Sequence, residues 1–191
     1  KYIRQGKFVV GIGGEHSITT GFVRAHAEVY NDLTVLQLDA HSDLRPEYNG
    51  SQYNHACVMS RVAEICPFVQ VGIRSMDSIE KPFLVKENLF LAEEICGRND
   101  WYNKVIDQLS ANVFITIDLD VFDPSIMPST GTPEPGGLSW YEVIKLLKFV
   151  ALKRNIVGFD VMELAPNSSN KAPDFVAAKL IYKLLSYRFK L

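Results

Sequence analysis

Residues 34–45 read TVLQLDAHSDLR, and the change of character halfway along this stretch decides the fold. The run up to Leu38 is apolar, partly β-branched and nearly unbroken, as suits a strand buried on both faces of a parallel sheet. Asp39, His41, Asp43 and Arg45 then follow almost at once. A strand end is a costly place to gather charges unless something binds them.

The same pattern recurs along the chain. FVVGIGGEHS at 8–17, VFITIDLDVFD at 113–123 and IVGFDVMEL at 156–164 are apolar runs that end in acids or a histidine, and FVQVGIR at 68–74 is a further buried strand. NLFLAEEI at 88–95 reads as a weaker strand near an edge. Between them, SITTGFVRAHAEVY, HACVMSRVAEI, DWYNKVIDQL, SWYEVIKLLKFVALK and PDFVAAKLIYKLLSYRF repeat apolar residues every three or four positions, as helices do. Strands alternating with helices predict a three-layer α/β/α fold around a mostly parallel sheet. The turn-rich stretches 44–54 and 123–139 follow acidic strand ends, where loops of such folds carry function.

Composition narrows the partners. The 191 residues, 47% of them hydrophobic, fit one domain. Lys and Arg total 20 against 22 Asp and Glu without charge blocks, so the basic footprint of a nucleic-acid binder is missing. No apolar run reaches the roughly 18 residues of a membrane helix. Cys57, Cys66 and Cys96 form no C-x-x-C pair, which argues against a disulfide framework or a zinc ribbon and fits a reducing cytoplasm. Opening at Lys1 without signal-peptide organisation, the chain reads as a fragment.

In a strand, residues two apart share a face, so Asp39 pairs with His41 and Asp118 with Asp120. In a parallel sheet these ends lie along one edge, where His16 and Asp43 can join them. Each motif alone has an ordinary use: Asp favours turns, and His16 can simply open a helix with Ser17 as its N-cap. At three strand ends together, they read as a metal site. Hard oxygens plus imidazole, without thiolate, suit Mn²⁺ or a related octahedral ion. Six ligands exceed what one catalytic ion needs but suit two ions about 3.5–4 Å apart if two carboxylates bridge.

GGEHSIT, LDAHSDLR, YNHACVMSR, IDLDVFDPSIMPSTGTPEPGG and DVMELAP together resemble the ureohydrolase family of arginases and agmatinases, from about residue 8 to the C-terminus. GGEHSIT, HACVM and GTPEPGG look closer to agmatinase. The resemblance implies an arginase-like domain over residues 1–191, the C-terminal two thirds of the family domain, without its N-terminal strands. It also implies a hydrolase with two Mn²⁺ per chain, cleaving agmatine to putrescine and urea by attack of a hydroxide bridging the ions, in polyamine synthesis. By motif position, His16, Asp39, Asp43 and Asp118 would hold one ion, and Asp39, His41, Asp118 and Asp120 the other. Asp43 would carry the first proton, His55 would shuttle it, and Glu163 would bind the guanidinium. The family's habit implies a homo-oligomer, trimer or hexamer.

Further expectations concern neighbouring residues. Asp160 is structural, since strand parity puts it opposite Glu163; Asp123 braces the metal loop; TGTPEPGG is a rigid wall from which Glu134 can meet a cationic tail. Cys57 is a small buried residue, and Arg45 has no assigned role. Arginase, another guanidino-compound hydrolase such as guanidinobutyrase or formimidoylglutamase, and a non-catalytic regulatory relative are the alternatives. A fold-related single-zinc deacetylase is disfavoured by the two carboxylate pairs.

Overall fold

The computed structural model describes residues 1–190; residue 191 of the expected domain lies outside the described residues. Six strands, β1 (Val9–Ile12), β2 (Leu33–Leu38), β3 (Phe68–Ile73), β4 (Leu89–Leu91), β5 (Asn112–Asp118) and β6 (Asn155–Met162), pair in the order β1-β6-β5-β2-β3-β4, every pairing parallel. The helices are α1 (Thr19–Ala27), α2 (Val58–Ala63), α3 (Ala92–Ile95), α4 (Tyr102–Gln108), α5 (Trp140–Lys153) and α6 (Ala172–Lys190).

Alternation along the central strands makes the layers. Val35 and Phe114 pack with Val23 of α1 and Met59 of α2 on one face, whereas Leu36 and Ile115 pack with Val105 of α4, Leu147 of α5 and Leu180 of α6 on the other. The three-layer expectation is met, with a wholly parallel sheet. β2 leads outward to β3 and β4, while β5 leads the opposite way to β6. The direction of winding reverses between the two central strands, β2 and β5, which is where open parallel sheets place their ligand crevice.

Two local expectations are corrected. NLFLAEEI forms an edge strand only over Leu89–Leu91; Ala92 starts α3, whose first turn accepts Glu93 and Glu94 beside its positive end. Ser17 is not an N-cap. A 3-10 turn, His16–Ile18, precedes α1, and the Ser17 hydroxyl donates to the Glu15 carboxylate instead.

His26 of α1 is fully buried against Phe114, its Nδ1 2.7 Å from the carbonyl of Phe22, and a Cβ on Gly158 would lie 2.4 Å from its Nε2. Burial lowers its pKa, with the Phe22 and Val157 carbonyls opposing. The unfolded imidazole takes a proton near the ordinary value of about 6.5, where the folded one resists it, so the unfolded state binds more protons and stability falls as pH drops below that value. His26→Gln is expected to flatten the acid-side fall of Tm between pH 6.5 and 5 relative to the unaltered chain; identical slopes would contradict this.

Candidate functional site

The loops after β1, β2, β3, β5 and β6 surround a cleft of about 540 Å³ at the C-terminal edge of the sheet. His16 lies at its floor, fully buried. Its Nε2 is 2.8 Å from the Thr116 hydroxyl, which donates to Asp160 Oδ1 at 2.6 Å. With its hydrogen given to Asp160, Thr116 accepts from His16, so Nε2 carries a hydrogen and Nδ1 faces inward. Nδ1 has no hydrogen-bond partner, yet oxygens of Asp39, Asp43 and Asp118 stand 3.2, 3.3 and 3.4 Å away. Lone pairs converging in a buried pocket demand positive charge, and this donor set fits a hard divalent cation.

A second group of donors adjoins the first and shares Asp39 with it. His41 Nδ1 is 2.9 Å from Asp120 Oδ2 and 3.7 Å from Asp39 Oδ1, and Asp39, His41 and Asp120 can present ligand atoms to one point, as can His16, Asp39 and Asp43. Asp118 reaches the first group through Oδ2, while its Oδ1 accepts from the Asp120 amide at 2.9 Å. All six residues singled out as ligands are therefore brought together.

The electrostatics match this crowding. Burial alone would lower the His16 pKa, but Asp118, Asp39 and Asp43 raise it well above the ordinary value. His41, despite burial, is pushed up to about 11 by Asp120 and Asp39. Burial and the Asp39 charge raise Asp43 to about 7 and also raise Asp118 and Asp120. Asp39 alone moves down, because the two histidines outweigh its burial. The upward shifts at both histidines and at three of the four carboxylates share one cause, a buried centre crowded with negative charge.

His55 and Glu163 line the same cleft. His55 sits at the mouth, Nδ1 3.1 Å from Glu15 Oε1, its ring edge-on to Tyr48. Glu163 Oε1 accepts from the His16 amide at 2.7 Å, leaving Oε2 beside Gly131. Glu163 stands past the end of β6 at φ +66°, so strand parity does not relate it to Asp160; both support His16, one through the backbone and one through Thr116. Glu134 does not line the cleft and lies 3.8 Å from His41 Nε2. Asp123 accepts from the Ser125 and Gly136 amides, bracing its loop, and Cys57 is fully buried, both as expected.

Sequence reasoning missed a polar row beneath the ligands. Gln70, Gln37, Thr116 and Asp160 occupy one register across β3, β2, β5 and β6, and the row ends at Gly11 of β1, where a Cβ would meet that of Asp160 at 2.8 Å. Gln37 donates to Asp39 at 2.8 Å and Gln70 to Gln37 at 2.6 Å. One polar residue inside each apolar run was the available signal. Arg74 was also missed: its fork donates to the carbonyls of Asp120, Glu134 and Pro135 at 2.7–3.0 Å, tying the end of β5 to the TGTPEPGG wall.

The family model described as "Arginase family" matches residues 1–186. This chain belongs to the arginase family. It is 44% identical to an N(1)-aminopropylagmatine ureohydrolase of Synechocystis, over 97% of this chain and 62% of that protein, and 35% identical to an agmatinase of Pyrococcus horikoshii, over 91% and 60%. The crystal structure of the agmatine ureohydrolase of Thermoplasma volcanium superposes with a TM-score of 0.85 at 34% identity, covering 98% of this chain and 64% of that one. The chain thus spans less than two thirds of these relatives' length. Among the described residues, no helix is long and apolar enough to cross a membrane.

Arg74 yields a direct expectation for this arginase-family site. A lysine ammonium cannot span carbonyls on two separate loops, so Arg74→Lys should destabilise the chain by about 2–4 kcal/mol through lost charge-assisted bonds and unpaired carbonyls. Urea denaturation checks this, and an unmoved midpoint would contradict it.

Proposed function

We propose that this chain forms the catalytic part of a binuclear manganese ureohydrolase acting on agmatine, releasing urea and putrescine. The observation that carries this reading is the unpartnered His16 Nδ1 facing three carboxylate oxygens, beside a second donor group that shares Asp39. On this reading His16, Asp39, Asp43 and Asp118 would hold one ion and Asp39, His41, Asp118 and Asp120 would hold the other, Asp39 and Asp118 serving both. Two ions bound there would make a water nucleophilic near neutral pH.

The chain's own groups do the rest. Glu163 Oε2, its companion oxygen fixed by the His16 amide, accepts from the guanidinium N–H groups and presents the carbon to the floor of the cleft. Attack forms a C–O bond; the C–N bond to the substrate chain then breaks as its nitrogen is protonated. Asp43, whose carboxylate reaches the centre of the cluster 3.3 Å from His16 Nδ1, takes the proton of the attacking water and returns it to that nitrogen. His55, half-exposed at the mouth and held by Glu15, moves protons between the cleft and solvent. The whole protein would work in the cytoplasm as a homo-oligomer.

A second substrate reading is N(1)-aminopropylagmatine. Relatives of that name reach 44% and 41% identity, and the cleft of about 540 Å³ has room and outer acids, Glu15 and Asp77, for a longer cationic tail. Urea release with Mn²⁺ from agmatine, N(1)-aminopropylagmatine and arginine separates the readings. Agmatine turning over fastest supports the first, aminopropylagmatine the second, and no urea from any guanidine despite two bound ions favours a non-catalytic relative. Asp120→Asn is expected to bind one ion fewer and to lose at least a hundredfold in turnover; full activity would overturn the ligand assignment.

A further inference from the structure

Glu80 is a buried carboxylate, 3% exposed, and no Lys or Arg among the described residues pairs with it. Its oxygens are used on loops flanking the metal-site candidates. Oε1 accepts from the Ser42 hydroxyl and the Leu44 amide, both at 2.8 Å, and Oε2 accepts from the Asp77 amide at 2.5 Å. Asp77 and Glu80 form the capping box of the short 3-10 helix Ser78–Phe83. A capping box normally serves only its own helix; here Glu80 extends it to both neighbours of Asp43.

Asp43 needs such support. It sits at φ +53°, a region uphill for a residue with a Cβ, and only this twist lets its carboxylate reach within 3.3 Å of His16 Nδ1 while Leu44 returns to the core. From the other side, the Asp43 carbonyl accepts from the Met59 and Ser60 amides at the start of α2, and the Ser60 hydroxyl donates to the Leu44 carbonyl. Arg45 completes the connection: it pairs with Asp77 at 3.2 Å while lying 4.8 Å over the Tyr48 ring.

We infer that Glu80 is a positioning residue whose carboxylate, bonded to Ser42 and Leu44, holds Asp43 in its left-handed conformation and so builds the ion position that Asp43 serves, with Arg45 tying Asp77 to the same loop. This rests on the proposed metal role of Asp43. Both Glu80 oxygens act as acceptors, so in Glu80→Gln an amide NH₂ must oppose either the Asp77 amide or the Ser42 and Leu44 donors.

The test reads two quantities in Glu80→Gln, with Ser42→Ala as the milder variant should the first not fold. The backbone φ of Asp43, taken from NMR chemical shifts of the metal-free chain, is expected to leave the positive region in Glu80→Gln and to average towards negative values in Ser42→Ala. Mn²⁺ binding, followed by EPR of the free ion, is expected to weaken about 10- to 100-fold at one of two positions in Glu80→Gln and a few-fold in Ser42→Ala, the other position keeping its affinity. A merely structural Glu80 would lower Tm and leave both quantities alone. Positive φ in a folded variant with both affinities unchanged overturns the inference. If the unaltered chain binds no Mn²⁺, the proposed function fails, and the φ measurement alone decides the clamp.

Discussion

Four carboxylates, Asp39, Asp43, Asp118 and Asp120, are buried at one end of this sheet, and their mutual repulsion is the constraint to which the surrounding structure responds. In a medium that screens poorly, like charges a few ångströms apart oppose the compact state strongly. The fold answers with short-range donors first: the amides of Ala40, His41 and Asp120 and the Gln37 side chain each give a hydrogen to one of these acids. Two histidines answer next. What remains is an excess of acceptor oxygens around His16 Nδ1, and that residue of unmet charge makes the cluster a place for cations rather than a set of structural caps.

The placement of the cluster follows from topology. Asp39 and Asp118 terminate or adjoin β2 and β5, the neighbouring central strands from which the chain winds in opposite directions. The loops leaving them therefore part, and the gap between them opens as the cleft. Gly72, at φ +94° in β3, lets that strand pass so close that a Cβ would press on Val121 and approach the Asp39 carbonyl. The site is thus seated on the two central strands of the sheet, while His55, Tyr48 and Arg45 follow β2 on the long connection that lines its mouth.

How much of this was legible in the sequence depends on whether a feature is local. FVVGIGGEHS, TVLQLDAHSDLR and VFITIDLDVFD carry their strand, strand end and candidate ligands in consecutive residues, so both the parallel sheet and the six converging donors could be read directly. NLFLAEEI misled because three residues of strand and four of helix look alike when both are apolar on alternate or spaced positions. The row Gln70–Gln37–Thr116–Asp160 was invisible for another reason: each residue is an isolated polar interruption, and only inter-strand register aligns them. Glu80 and Arg74 act across 36 and 46 residues of chain on backbone groups, which leave no mark on side-chain pattern. Parity failed for Glu163 because the strand ended one residue earlier in a left-handed turn.

Such turns recur where the chemistry is proposed. Among the described residues, the non-glycine positions with positive φ are Asp43, Asn49 and Glu163, and two of these, Asp43 and Glu163, are carboxylates that line the cleft. A relaxed extended backbone would send those side chains to one face of the sheet or the other, roughly perpendicular to the strand, rather than into the cleft beyond its end. Conformational strain of about 1–3 kcal/mol at each position is tolerable only if neighbouring contacts over-determine the geometry. For Glu163 these are its amide bond to the Gly14 carbonyl and its carboxylate bond to the His16 amide. For Asp43 they are Glu80 on one side and the start of α2 on the other. The floor of the cleft is therefore held by interlocking backbone contacts that cannot vary one residue at a time. At the mouth, by contrast, Glu15, His55 and Tyr48 meet through partly exposed side chains, whereas Arg45 and Asp77 stay tied through Glu80 to the loop that holds Asp43 and belong with the floor.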